Sequence, residues 1–337
     1  ALVGCGLVYA SMAVTIAQQA GLALPASAIV AGTIANNIGI PVLYLLWEQY
    51  FASEDDDQCI ADILMGRGLP IVFLIPLGAV TNSAAVAMVR AAVFLGVTVA
   101  LLRRYRTIDW SAPMFSEQPS AHRETYWDAV ALSWKSALCL GSMAFLYTIL
   151  QSAFSDGAPL SSVPSFAPLG GMFVAAALIM FLWRHRSFTF NVIEIFRIIF
   201  PGISVLLLLL PFFASRLPGA TYAAAYGLFS LLVCIGMVQC SQTCKRAGVS
   251  PLFMFGFYLG IANGLHLVGY VCGTTLVSNN FFGQPRWFVI ALAAMFFISL
   301  VFFLVRGDLS PRVAALSGAE FIALETAAKP DSRTAAR

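Results

Sequence analysis

The sequence is divided by one long polar stretch, RRYRTIDWSAPMFSEQPSAHRETYWDAV, which covers residues 103–130. Four apolar segments precede this stretch and six follow it. Hydrophobic residues make up 60% of the chain and charged residues only 10%, whereas a soluble domain carries about 25% charged residues. Because so much apolar surface needs a lipid environment, we expect a lipid bilayer as partner and an all-α, polytopic membrane helical bundle as fold.

Ten segments are long and apolar enough to cross a bilayer as helices, which takes about 20 residues each. Membrane β-strands are excluded, because the segments are too long and do not alternate between polar and apolar residues. The predicted segments cover residues 1–18, 27–48, 64–80, 84–102, 131–153, 169–184, 192–213, 220–243, 252–277 and 286–305.

The distribution of positive charge predicts the orientation of these helices, because Lys and Arg accumulate in the cytoplasmic loops of membrane proteins. If the first helix starts in the cytoplasm, sixteen of the 19 Lys and Arg residues lie on that side and two lie outside, while Arg90 lies within a helix. We therefore expect a multi-pass protein with both termini and residues 103–130 in the cytoplasm.

Six helices after a long basic cytoplasmic linker resemble the C-terminal half of the major facilitator superfamily (MFS), in which two six-helix halves are joined by such a linker. The resemblance implies an MFS-like layout and two further helices before Ala1. It divides the chain into a truncated N-terminal membrane half, a cytoplasmic linker, a C-terminal six-helix half and a cytoplasmic tail, at residues 1–102, 103–130, 131–306 and 307–337.

A narrower resemblance rests on particular residues of the second half and on the Leu46-Trp47-Glu48 end of the second segment. The second-half residues are Ala225-Tyr226-Gly227-Leu228-Phe229, Gln239, residues 244–252, Phe255-Gly256, Gly260, Gly264 and Gly269. They are similar to bacterial LuxR-type regulators, in which a transporter-like membrane portion precedes a helix-turn-helix domain.

This resemblance implies a sensor module in the bacterial inner (cytoplasmic) membrane. An unknown small-molecule ligand in a central cavity would change the relative tilt of the two halves. DNA would be bound through a C-terminal domain beyond Arg337, and no nucleic acid would be contacted by residues 1–337 themselves.

A secondary transporter of a small organic solute is the alternative function. The basic loop signature of transporters, Gly-x-x-x-Asp-Arg-x-Gly-Arg-Arg, has no full match: residues 183–189 are basic but lack its glycines and its Asp. This departure favours a sensor. No nucleophile–base pair, P-loop or dinucleotide motif is present, so we expect neither an enzyme nor a cofactor. We also expect no metal site, because residues 54–57 lack the Gly and the distal Glu of a calcium loop and fit a solvated helix start instead.

Polar side chains at membrane depth are costly unless they face a cavity or a partner, so they are candidates for ligand binding. Asn263, His266 and Tyr270 share one helix face by their spacing. The structural alternatives are hydrogen bonds between helices for the Asn and His residues, and extension to the outer interface for Arg90. The full candidate set is Asn36, Asn37, Arg90, Asn263, His266 and Tyr270.

Two expectations concern packing. Gly256, Gly260 and Gly264 recur every four residues and predict a face for close helix contact. Arg67 and Lys135 lie near predicted cytoplasmic helix ends, where long basic side chains reach the membrane interface.

The tail carries a helix-start signal, because Ser310 followed by Pro311 suits an N-cap and a first helical position. The sequence therefore predicts a short tail helix. The residues of its apolar face would be Val313, Leu316, Phe321 and Leu324.

Overall fold

The computed structural model of the chain describes residues 2–72, 74, 83–116, 123–154, 166–213, 218–278, 286–306 and 319–322, which are mostly helical. The helices are α1 (Leu2–Gln19), α2 (Ala26–Ser53), α3 (Asp56–Gly68), α4 (Ser83–Tyr105), α5 (Pro113–Ser116), α6 (Arg123–Phe154), α7 (Phe166–His185), α8 (Val192–Phe213), α9 (Pro218–Ala247), α10 (Pro251–Ser278) and α11 (Arg286–Val305). The strands are β1 (Phe188–Phe190) and β2 (Ala319–Phe321).

Eight of the described helices, α2, α4 and α6 to α11, are long and apolar enough to cross a membrane. Large apolar side chains such as Phe181, Phe212 and Phe296 are exposed on the bundle surface, as lipid-solvated helices require. The prediction of an all-α, multi-pass membrane protein is therefore confirmed at this level. Of the other two predicted segments, 1–18 coincides with α1, and 64–80 runs from α3 into residues outside the described ranges.

The helices α6 and α10 pack against each other along much of their length. A Cβ atom on Gly269 would lie 2.7 Å from the backbone oxygen of Phe145, and one on Gly273 would lie 2.7 Å from the Cβ of Ser152. Only glycine permits so close an approach of two helices.

The predicted packing role of Gly256, Gly260 and Gly264 is wrong, because a Cβ on any of them would meet nothing within 4 Å among the described residues. Five residues separate Gly264 from Gly269, so at 100° per residue their faces differ by about 140°. The regular spacing identified a row of small residues but not the side of the helix that meets α6.

The two parts of the bundle meet where α2 and α3 pack against later helices. Helix α2 contacts α9 and α10, and α3 contacts α7 and α9. Helices α1 and α4 lie on the other side of α2, in a small separate apolar cluster formed by Cys5, Val8, Leu43 and Leu101. The helices α2 and α3 therefore carry most of the contact between the first four helices and the last six.

The polar stretch at residues 103–130 is partly helical. Helix α4 continues to Tyr105, α5 lies in the stretch, and α6 begins at Arg123. Met114 on α5 is buried in the main core, and the Tyr126 hydroxyl accepts a hydrogen bond from the backbone N–H of Ser250 at 3.1 Å. The stretch is thus attached to the end of the bundle where α10 begins.

The tail contains a strand where a helix was predicted. Residues 319–321 form β2, which pairs antiparallel with β1 so that Phe188 lies opposite Phe321 and Thr189 lies opposite Glu320. Ala319 and Phe321 are buried and Glu320 between them is exposed, which is the two-residue period of a strand and not the 3.6-residue period of a helix. Partners on β1 and α9 decided this conformation, and the local signal at Ser310 lies outside the described residues.

Candidate ligand cavity and tail contact

A cavity of about 280 Å³ lies between α2 and α3 on one side and α6, α9 and α10 on the other. Its walls are mainly apolar, with Leu140, Phe229, Val233 and Leu259 among them. Polar groups enter from two directions, and they are Tyr44 on α2, Arg67 on α3, and Tyr258 and Asn263 on α10. This combination of apolar walls and a few polar groups is typical of small-molecule sites.

Arg67 is the one charged side chain among the described residues that line the cavity. Its Nη2 donates to the Tyr44 hydroxyl at 3.2 Å and to the Met237 sulfur at 3.7 Å. The Tyr44 hydroxyl donates in turn to the same sulfur at 3.2 Å. The expectation that Arg67 reaches the membrane interface is therefore wrong, because α3 packs against α9 and directs this side chain to the cavity.

Glu48 lies one helical turn after Tyr44 on α2 and is fully buried. Neither of its carboxylate oxygens has a hydrogen-bond partner in the described part of the chain. The Tyr44 hydroxyl acts on the carboxylate as a hydrogen-bonding group at longer range, and Arg67 acts on it electrostatically. A carboxylate in such surroundings is costly unless a cation balances it or a proton neutralises it, so Glu48 and Arg67 form one electrostatic unit.

Tyr258 contributes a second polar group without a hydrogen bond. It is 4% exposed, and its hydroxyl has no hydrogen-bond partner among the described residues. Ser133, Ser136 and Cys240 are the polar groups that interact with this hydroxyl at longer range. A buried hydroxyl without a well-formed hydrogen bond is costly, and a ligand or a water molecule would provide one.

The structure brings one of the six predicted binding residues, Asn263, into the cavity wall. His266 lies one turn further along α10, where its Nδ1 is 2.8 Å from the Thr148 hydroxyl. Tyr270 is 39% exposed.

The other three predicted residues lie away from the cavity wall. Asn36 is half-buried, and Asn37 and Arg90 are exposed. The binding roles of all six residues stay predictions.

Sequence reasoning missed Tyr44, Glu48, Arg67 and Tyr258. The available signal was the spacing of Tyr44 and Glu48, which places both on one face of the second predicted helix. Arg67 carried no such signal, because only the packing of α3 against α9 shows that the cavity lies beside it.

The tail strand β2 is bound by the end of α9. The side-chain amide of Gln242 donates from Nε2 to the Glu320 backbone oxygen and accepts at Oε1 from the Glu320 backbone N–H, both at 2.8 Å. Arg246 lies 3.0 Å from the Glu320 carboxylate. The Trp183 indole donates to the Ile322 backbone oxygen at 2.7 Å. We call the end of the bundle formed by residues 242–247 and the two strands the tail face.

The same end of α9 is joined to α3. Lys245 lies 2.7 Å from the Asp56 carboxylate and also donates to the backbone oxygen of Glu54. The acidic run at residues 54–57 therefore begins α3, as predicted, but one of its carboxylates has a lysine partner. Burial raises the pKa of the Glu54 carboxyl, while a hydrogen bond from the Tyr50 hydroxyl opposes the rise.

Comparison with protein-family models, with curated proteins and with solved structures gives no match for this chain.

The cavity, with its apolar walls and few polar groups, is suited to binding a small molecule. In the described part of the chain, no group of three or more His, Cys, Asp or Glu residues could hold a metal ion.

Proposed function

We propose that residues 2–322 act as a transporter-like membrane sensor module of a LuxR-type transcriptional regulator. A small molecule in the cavity would change the relative tilt of the two parts of an MFS-like bundle, and the tail would carry the change onward. The observation that supports this proposal is the triple role of α9. One face lines the cavity at Met237, and the last turns hold both the tail strand at Gln242 and α3 at Lys245.

The distances along α9 make this coupling direct. Met237 and Gln242 are five residues apart, which is about 7.5 Å of helix rise. A packed helix moves as a unit over so short a span, so a shift at the cavity wall reaches the tail contact.

Helix α3 gives the arrangement a second connection. Its first turn is held to α9 by Lys245 and Asp56, and its last turn is held by the contact of Arg67 with Met237. A ligand that engages Arg67 changes one of these two links between α3 and α9. Such a ligand would bind one state of the bundle more tightly than the other, which a two-state switch requires.

In this proposal the tail face lies in the cytoplasm of a bacterial cell. Arg184 and Arg186 at the end of α7, and Lys245 and Arg246 at the end of α9, support that orientation, because cytoplasmic segments are rich in Lys and Arg. The tail would then lead to the DNA-binding domain that the resemblance to LuxR-type regulators implies.

Thiol labelling of an Ala319→Cys variant tests the coupling. Ala319 is fully buried while β2 is paired, so a thiol introduced at this position would react with a maleimide only when the strand is released. Six of the native cysteines are buried and Cys272 is half-buried, and the parent protein supplies the background rate.

Val233→Phe, which fills part of the cavity, should change the labelling rate of the introduced thiol by about fivefold or more, the lower range of allosteric coupling. Leu267→Phe, at an exposed position of α10, is the matched control. Ala262→Val is a milder filling change on the opposite wall, for use if Val233→Phe does not fold. Equal labelling rates in folded cavity-filling and control variants would reject the proposal.

Glu48 favours a secondary transporter as the second candidate function. Carboxylates inside the membrane mark the proton relays of pumps and transporters, and Glu48 is buried beside the cavity cation. Uptake of benzenesulfonate, a membrane-impermeant organic anion, into proteoliposomes under an imposed pH gradient would support transport if Glu48→Gln abolishes it. No uptake by folded protein would reject this candidate for that class of solute.

A further inference from the structure

We infer that the cavity binds a small monovalent organic anion whose acid group is held by Arg67 and Tyr44 and whose apolar body fills the space between α6, α9 and α10. The inference rests on the proposed function in taking this cavity as the ligand site, and it adds the chemical class of the ligand.

The first argument is the convergence of two donors on a weak acceptor. Arg67 Nη2 and the Tyr44 hydroxyl both point to the sulfur of Met237, at 3.7 Å and 3.2 Å. A thioether sulfur accepts hydrogen bonds poorly, whereas a carboxylate or sulfonate oxygen forms charge-assisted bonds that are about twice as strong as neutral ones. An anionic oxygen placed beside Met237 would receive both donors.

The second argument is the unused capacity of Arg67. A guanidinium carries five N–H donors, and the hydrogen bonds of Arg67 to described residues use Nη2 alone. Because the side chain lines the cavity, a bidentate interaction with a carboxylate can form there. Bidentate recognition of this kind is the reason that Arg is frequent at carboxylate sites.

The size of the cavity limits the ligand. A volume of about 280 Å³ is just below the range of about 300–1,000 Å³ that holds drug-sized molecules. It corresponds to roughly nine water molecules at about 30 Å³ each, so the part of the ligand that the cavity holds is small.

The walls define the rest of the ligand. Leu140, Phe229, Val233 and Leu259 offer apolar contact to a single ring or a short branched chain. The Tyr258 hydroxyl provides one further hydrogen-bonding position on α10, away from α3.

Glu48 opposes the ligand electrostatically only in its ionised form. An ionised Glu48 balances the charge of Arg67, so an added anion would leave the buried unit with excess negative charge, whereas a protonated Glu48 does not oppose the anion. At a pH at which the carboxyl is ionised, neutralising this residue by substitution should therefore tighten anion binding. That result would separate an anion site from a simple apolar pocket, in which the substitution has no such effect.

The test is direct binding to the purified full chain in detergent. The probes are benzoate and benzenesulfonate, with benzamide and benzylamine as neutral and cationic molecules of the same shape. We expect both anions to bind at least about tenfold more tightly than benzamide and benzylamine to bind least. A series of carboxylates from acetate to 3-phenylpropionate tests smaller and larger apolar groups.

Variants test which residues hold the acid group of the ligand. Arg67→Gln should weaken benzoate binding by about 30-fold or more, the range for loss of one partner of a buried charge pair. Tyr44→Phe should weaken it several-fold, and Glu48→Gln should strengthen it at a pH at which the Glu48 carboxyl is ionised. Arg103→Gln, at an exposed arginine in the last turn of α4, should leave it unchanged. Gel filtration and thermal unfolding verify that each variant is folded.

Equal affinity for benzoate and benzamide, unchanged affinity in folded Arg67→Gln, or no binding by any carboxylate of the series would overturn the inference. If benzoate binds as described but does not change the labelling of the Ala319→Cys variant, the ligand class stands and the sensor function fails. If Val233→Phe changes the labelling but no anion binds, the sensor function stands and the ligand class fails.

Discussion

The ammonium group of Lys245 lies 2.7 Å from the Asp56 carboxylate, and this ion pair joins the last turn of α9 to the first turn of α3. The two residues are far apart in the sequence and belong to different parts of the bundle. Because Lys245 also donates to the backbone of Glu54, the contact holds both the side chain and the main chain at the start of α3.

The pair is partly exposed, so its contribution to stability should be modest. The side chains of Lys245 and Asp56 are 26% and 47% exposed, and exposed ion pairs contribute about 0.2–1 kcal/mol. A double-mutant cycle with Lys245→Ala and Asp56→Ala, read by thermal unfolding at low salt, should give a coupling in this range that shrinks at high salt. A coupling that does not depend on salt would contradict the electrostatic origin.

Replacing Gln242 should release the tail strand. Gln242→Leu keeps the approximate shape but removes both hydrogen bonds to the Glu320 backbone, and an unsatisfied buried group costs about 1–3 kcal/mol. In the Ala319→Cys background, labelling of the introduced thiol should become about tenfold faster. Gln58→Leu, at an exposed glutamine of α3, is the control and should not change the rate.

Gly171 should tolerate no side chain. A Cβ atom there would overlap the backbone oxygen of Ala223 and lie 2.9 Å from the backbone nitrogen of Gly227, so α7 and α9 must move apart. Gly171→Ala should destabilise the protein by about 1–3 kcal/mol or more in thermal unfolding.

Gly256→Ala is the matched control for that change. A Cβ atom at Gly256 meets nothing within 4 Å among the described residues, so this variant should be neutral or slightly stabilised by the better helix propensity of Ala. If both variants are equally stable, the close contact of α7 with α9 is not formed.

The carboxyl of Glu54 should make stability depend on pH. Burial raises its pKa, so the contribution of this group is full below the unfolded pKa and is lost as the pH rises through the folded pKa. Glu54→Gln cannot ionise but keeps an oxygen for the Tyr50 hydroxyl. Between about pH 4 and about pH 8 the parent protein should therefore lose stability relative to Glu54→Gln.

Thermal unfolding at both pH values measures this difference, and Glu124→Gln at an exposed position of α6 is the control. A parent protein that gains stability relative to Glu54→Gln as the pH rises would contradict the predicted sign.

The multi-pass helical fold could be predicted from the sequence, because the cost of placing a backbone in lipid depends on local composition and length. The start of α3 in the acidic run was also predictable. Three local signals led to wrong predictions. In each case the contact that decides the structure comes from another helix or strand, which the local signal does not contain. The glycines at 256, 260 and 264 lie on the wrong side of α10, Arg67 reaches a cavity, and Phe321 belongs to a strand.

The sequence by itself determined that this protein crosses a membrane many times as helices, since hydrophobicity and helix length are properties of each segment alone. Only the tertiary structure decided which polar groups meet. Tyr44, Arg67 and Met237 come from three helices and converge on one point, and Gln242 meets a strand that lies 78 residues further along the chain. Such contacts depend on the rotation and depth of packed helices, and no single segment encodes those.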